Sequence, residues 1–137
     1  GQYMLMDDAN VPSLLAMDYL GYEADDRQVV ENTRNFVLSC ANPYYYEGSC
    51  AKGVGSQHTK PGYIWHIALA IQGLTSKTKE EKLAILNTMK NTDAGKHMMH
   101  EGFDVNNPAN YTREWFSWAN AMYAEMVLNY LGYSLDV

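Results

Sequence analysis

Apolar side chains recur at helical spacing in five stretches of the chain, separated in two places by long polar, glycine-rich connections. In the first stretch Asp7, Asp8 and Asn10 precede Leu14, Leu15, Met17 and Leu20, and Gly21 supplies a stop. Asn10 is placed to cap a helix that tolerates Pro12 in its first turn. A second helix is expected from Asp25, with Gln28 three places on completing a capping-box arrangement and Val29, Val30, Phe36, Val37 and Cys40 on one side. The third, 63–74, is apolar nearly all round, which predicts burial between other layers. The fourth opens on Thr78 and Glu81, again a capping box, and runs through Leu83, Ile85, Leu86 and Met89 to a break at 91–95. The fifth, 112–131, spaces Trp115, Trp118, Met122, Met126 and Tyr130 along one stripe, which beyond Ala119 reads as core.

No convincing strand longer than a few residues interrupts this pattern, so the expected class is all-α, built of helical hairpins. The long connections, 41–62 and 91–111, hold most of the candidate chemistry and are expected to gather at one end. A third helix apolar on every side suits a piece of a larger helical assembly better than a free-standing domain of this size.

Length and charge narrow the field. A chain of 137 residues, 47% hydrophobic, is the size of one domain with a single core. Ten Lys plus Arg against 16 Asp plus Glu leave a formal charge of -6 and no basic stripe, so nucleic acid is not an expected partner. No apolar run approaches bilayer length and Gly1-Gln2-Tyr3 does not begin a leader, so the chain reads as soluble with no membrane partner. Localisation stays unassigned, with the cytoplasm favoured. Two cysteines make no disulfide framework; Cys40 and Cys50, ten apart across a tyrosine-rich loop, leave two readings open, a bridge or two small buried or semi-buried thiols, with the thiols favoured.

Glu101 is the first candidate for chemistry. It follows Met98, Met99 and His100 and lies two residues before Phe103, so a part-buried carboxylate is expected whose proton affinity depends on its surroundings. Asp7 and Asp8 leave two readings open: carboxylates stabilised by a helix N-terminus, or acceptors that point with Asn10 into a polar pocket. Tyr44, Tyr45 and Tyr46 offer flat faces with hydroxyl handles, a composition suited to a sugar, and His58 sits in the same connection. Arg113, at the start of the fifth helix, is unfavourable for the helix dipole and wants a partner; its fork suits a carboxylate or vicinal hydroxyls.

Other chemistries lack support. His97, His100 and Glu101 form the order H-x-x-H-E, which matches neither common zinc motif, so no metal and no cofactor are expected. Gly53 to Ser56 lack the lysine and the strand-to-helix context of a phosphate loop, and no serine elbow is present. Carboxylate chemistry beside aromatic and hydroxyl-binding groups remains. Glycoside hydrolysis fits it, needing two carboxylates about 6.5–9.5 Å apart when water attacks with inversion.

Five segments then resemble one family: M-D-D-A-N-V-P-S-L-L at 6–15, G-V-G-S-Q-H-T at 53–59 with Ile64 and Trp65, K-N-T-D-A-G at 90–95, M-H-E-G-F at 99–103 and Y-T-R-E-W-F-S-W-A-N at 111–120. In order and over the whole chain they are similar to the signatures of glycoside hydrolase family 125, the exo-acting alpha-1,6-mannosidases. The resemblance implies an (alpha/alpha)6 barrel, a metal-independent inverting mechanism, and Glu101 as the general base. It also implies that the general acid lies upstream of these segments, so that residues 1–137 are the C-terminal segment of a single catalytic domain and inactive alone. The implied partners are a mannose-containing or N-glycan-derived oligosaccharide and the missing N-terminal part, or a second copy of the chain. A stand-alone carbohydrate-binding or interaction module is the alternative. Motif position and chemistry assign Asp8, Asn10, His58, Trp65, His100 and Arg113 to the sugar pocket. Gln57 and Glu114 stand where the family more often has proline, and Gly102 where serine is common; Glu114 is placed to draw Arg113 away from a sugar.

Overall fold

A computed structural model describes residues 1–133 of the chain. Among them the elements follow in the order α1 (Arg27–Val37), β1 (Tyr45–Glu47), β2 (Lys52–Val54), β3 (Tyr63–Trp65), α2 (His66–Leu74), α3 (Lys79–Asn91), β4 (Gly102–Asp104), β5 (Tyr111–Thr112) and α4 (Ser117–Tyr130). β1 and β2 form an antiparallel hairpin. A second antiparallel sheet has the order β3-β4-β5, with Ile64 opposite Phe103, Trp65 opposite Gly102, and Gly102 opposite Thr112.

The expectation of an all-α chain of helical hairpins is therefore corrected: the fold is mixed, with four helices and five short strands among the described residues. The alpha/alpha-barrel description finds no support in it. The difference has a physical source. Tyr63, Ile64 and Trp65 extend the apolar run of α2, and a short continuous apolar run fits a buried strand as well as a buried helix. Their aromatic and β-branched side chains suit a strand once a partner exists. That partner, Gly102–Asp104, comes from a connection that carries no periodic signal of its own.

The first expected helix is also absent. Residues 13–21 make successive turns, with Ala16 N donating to Ser13 O and Leu20 N to Ala16 O. Asn10 caps nothing there; the Asp7 carboxylate instead accepts from Leu14 N (3.1 Å) and Leu15 N (3.0 Å). α1 starts one residue later than expected, because Asp26 rather than Asp25 accepts from Gln28 N at 2.9 Å. The cap at Thr78 forms as expected, its hydroxyl accepting from Glu81 N at 3.2 Å.

α2 is the centre of the core. His66 through Ile71 are all buried, and α3, α4, β2 and β3 pack against the helix. Its all-round apolar character is met by these four elements of the chain. The uncovered apolar surface lies elsewhere, at Tyr3, Met4, Leu5, Leu14 and Val29. Met122 and Met126 of α4 are buried as the stripe predicts, while Trp115, ahead of the helix, is exposed. Cys40 and Cys50 are free and exposed, not the semi-buried thiols expected. No described helix is long and apolar enough to cross a membrane.

Candidate active site

The three-stranded sheet brings the two long connections together. Glu101 immediately precedes β4, and Glu101 N donates to Thr112 O (3.2 Å) across the β4–β5 pairing. The Thr112 hydroxyl accepts from Gly102 N (3.1 Å) and donates to Glu101 Oε1 (3.1 Å). The next residue, Arg113, takes a left-handed backbone conformation (φ 48°), which turns its side chain back so that Nε stands 3.1 Å from Glu101 Oε2. Each carboxylate oxygen thus faces one donor. The Glu101 side chain is 14% exposed and that of Arg113 is 65% exposed. The guanidinium carbon also lies 5.6 Å from the centre of the Phe116 ring. α4 starts at Ser117 and not at 112 as expected, so Arg113 lies ahead of the helix and its partner is the Glu101 carboxylate, not an answer to the helix dipole.

Trp65 closes β3 opposite Gly102. A side chain at 102 would put Cβ 3.1 Å from the indole and 3.2 Å from Thr59 Cγ2, so glycine lets the ring lie against the strand. Trp65 Nε1 donates to Thr59 Oγ1 at 3.0 Å. Phe116 meets Trp65 edge-on and Trp118 lies beyond it, at 6.4 and 6.2 Å between ring centres, while His58 tilts over Trp65 at 6.4 Å. Asn10, His58, Trp65, Glu101, Arg113, Phe116 and Trp118 line one open cleft of about 530 Å³. Its wall is aromatic and its floor carries one carboxylate and one guanidinium, the mixture of apolar faces and a few aimed polar groups that small-molecule sites share.

Asp8 stands behind this cleft. Its oxygens accept from Asn10 N (3.0 Å), Asn10 Nδ2 (3.3 Å) and Ser56 Oγ (3.2 Å), so it orients the asparagine that does face the cleft. Neither reading of the acidic pair holds as stated: no helix follows Asp7 directly, and Asp8 does not itself line the cleft. Asp7 serves the backbone amides of Leu14 and Leu15; burial pushes its carboxyl up, and those amides oppose the push.

Three expectations are corrected. His100 is 0% exposed and absent from the cleft lining; its Nδ1 and Nε2 contact Glu114 O and Asp93 O at 2.6 and 3.1 Å. Glu114 leaves Arg113 alone, pairing with Lys96 (3.2 Å) and the Tyr111 hydroxyl (2.7 Å). Those contacts, the Tyr111 bond first, hold its carboxyl below the usual range. Tyr44, Tyr45 and Tyr46 pack half-buried on the core and do not line the cleft. Phe116, Trp118, Thr112 and Ser56 are site residues that the sequence pattern does not single out. The adjacency of Phe116 and Trp118 to Arg113 is the available signal, masked because the whole aromatic run fits one helix stripe. Among the described residues no group of three or more His, Cys, Asp or Glu is arranged to hold a metal ion. His97, paired with Asp93 at 3.6 Å, is almost wholly exposed while His100 is buried.

Comparison with known proteins bears on this cleft. Meiotically up-regulated gene 157 protein of Schizosaccharomyces pombe is 43% identical over 132 residues, 96% of this chain and 26% of the relative. A solved metal-independent alpha mannosidase of Streptococcus pneumoniae, in a non-productive substrate complex with alpha-1,6-mannobiose, superposes with a TM-score of 0.93 and 52% identity over 98% of this chain and 32% of that one. The chain spans between a quarter and a third of the length of these relatives. The family model described as metal-independent alpha-mannosidase (GH125) matches residues 1–128. With nearly its whole length matched, and with the resemblance of its five segments thereby upheld, the chain belongs to glycoside hydrolase family 125.

Proposed function

We propose that this chain is one segment of the catalytic domain of an inverting exo-alpha-1,6-mannosidase, and that Glu101 is its general base. The observation that carries the reading is Glu101 itself: a largely buried carboxylate on the floor of an aromatic cleft, held by a hydroxyl and a guanidinium. In the proposed reaction Glu101 takes a proton from water as the water oxygen attacks the anomeric carbon of a terminal mannose. The glycosidic C–O bond breaks, and the leaving oxygen receives a proton from a second carboxylic acid. Arg113 and Asn10 contact sugar hydroxyls, and Trp65 and His58 face the ring. Asp8 acts through Asn10.

Among the described residues Glu101 is the one carboxylate lining the cleft. Asp8 does not line the cleft, and its oxygens accept from Asn10 and Ser56. The acid is therefore assigned to the part of the protein that relatives possess and this chain does not span. That part is also the proposed cover for the apolar groove of Leu5, Met6, Leu14, Val29 and Phe36.

Titration of the chain with alpha-1,6-mannobiose tests the reading. Saturable binding without release of mannose is expected, with release appearing when the complementary part of the enzyme is added. Absence of binding, with or without that part, sinks the sugar site; release of mannose by the chain alone sinks the missing-acid argument. Binding that stays without turnover when the complement is present favours the stand-alone carbohydrate-binding module, for which the single carboxylate of the cleft is the supporting observation.

A further inference from the structure

His100 has two ring nitrogens and two backbone carbonyls to face them. Nδ1 lies 2.6 Å from Glu114 O and Nε2 lies 3.1 Å from Asp93 O, with the ring fully buried. A carbonyl oxygen only accepts. A neutral imidazole has one N–H and one lone pair, so it serves one of these carbonyls and turns a lone pair on the other; the imidazolium serves both. We propose that His100 is a buried imidazolium that bridges Asp93 O and Glu114 O and so positions Glu101 and Arg113.

The surroundings accommodate the charge. The Tyr111 ring stacks on His100 at 4.0 Å and 8° between planes, an arrangement in which an aromatic face attracts a cation. The Tyr111 hydroxyl in turn donates to the Glu114 carboxylate, which Lys96 also pairs with. The Asp93 carboxylate accepts from Gly95 N and His97 N, beside the carbonyl that Nε2 meets. From α2, His66 approaches at 5.6 Å between ring centres, but it is neutral: burial pushes its proton affinity down to about 3, and its Nδ1 accepts from His100 N at 2.9 Å. The two residues whose carbonyls meet the ring each carry a carboxylate, Lys96 pairs with that of Glu114, and the second imidazole adds no charge.

The bridge ties the end of α3 to the segments that carry Glu101 and Arg113. Asp93 follows α3, Glu114 precedes α4, and His100 and Glu114 are the chain neighbours of Glu101 and Arg113. Losing one proton from the ring would set a lone pair against one carbonyl and free one end of the clamp. The charge and the bridge stand on geometry alone; only their consequence for hydrolysis rests on the mannosidase reading.

Nitrogen NMR of the ring in the unaltered chain at pH 7 tests the charge. Protons on both nitrogens of His100 are expected, with scalar coupling across the hydrogen bonds to the carbonyl carbons of Asp93 and Glu114. One pyridine-type nitrogen overturns the charge, and missing couplings overturn the bridge. In His100→Gln, which keeps one donor, the Arg113 Nε–H resonance should move towards that of a free guanidinium; a folded variant with a wild-type resonance removes the positioning role. None of these readouts uses mannose, so they are decided separately from the function proposed above.

Discussion

Acid should unfold this protein through His66 before its carboxylates dominate. His66 is completely buried on α2, its Nε2 meeting Thr92 Oγ1 at 3.0 Å while Nδ1 accepts the His100 amide. Burial is the main cause that pushes its proton affinity from 6.5 down to about 3, with the nearby His100 second. An unfolded chain protonates this ring near 6.5 and the folded chain only near 3, so over that window the unfolded state binds the extra proton and stability falls as pH falls. The slope approaches about 1.4 kcal/mol per pH unit, and the integrated loss between pH 7 and pH 5 is about 2 kcal/mol. Urea unfolding followed by tryptophan fluorescence at pH 7, 6 and 5 measures it directly. His66→Gln retains an acceptor for the His100 amide and a donor for Thr92 but cannot titrate, so the difference between the two proteins isolates this group from the carboxylates they share. Parallel stability profiles for wild type and variant would show that the buried imidazole takes its proton without cost, and the reasoning would fail.

Two other outcomes follow from the geometry. Arg113→Ala leaves the largely buried Glu101 carboxylate without its guanidinium, so stability should fall by about 1–3 kcal/mol. Loss of a charge-assisted contact should weaken mannobiose binding roughly tenfold or more, a difference calorimetry resolves; unchanged affinity would remove Arg113 from the site. Gly55→Ala places a Cβ 2.0 Å from Tyr63 O, a backbone atom that cannot swing aside, and Gly55 O also holds Ala9 N at 2.9 Å. Destabilisation of about 3 kcal/mol is expected in thermal unfolding, with loosening of the Asp8 and Asn10 turn; a wild-type midpoint would contradict so close an approach of the two backbones.

Sequence alone determined the parts whose causes are local. The Thr78 cap, the two buried methionines of α4 and the burial of α2 from His66 to Ile71 follow from spacing and side-chain type. So does the part-burial of Glu101, since an acid between a histidine and a phenylalanine is carried inward with its neighbours. Tertiary structure decided what depends on pairing between distant segments. Tyr63–Trp65 became a strand because Gly102–Asp104 supplied its hydrogen-bond partners, and the third strand delivered Thr112 and Arg113 to the two oxygens of Glu101. Its place in a motif points His100 at a sugar, whereas the carbonyls that claim its ring come from residues 93 and 114. Helix caps and apolar stripes are written within a few residues of one another, so a chain read in order reveals them. Which donor meets which acceptor across a sheet is settled only when non-local backbones close, and most of this site is made of such closures.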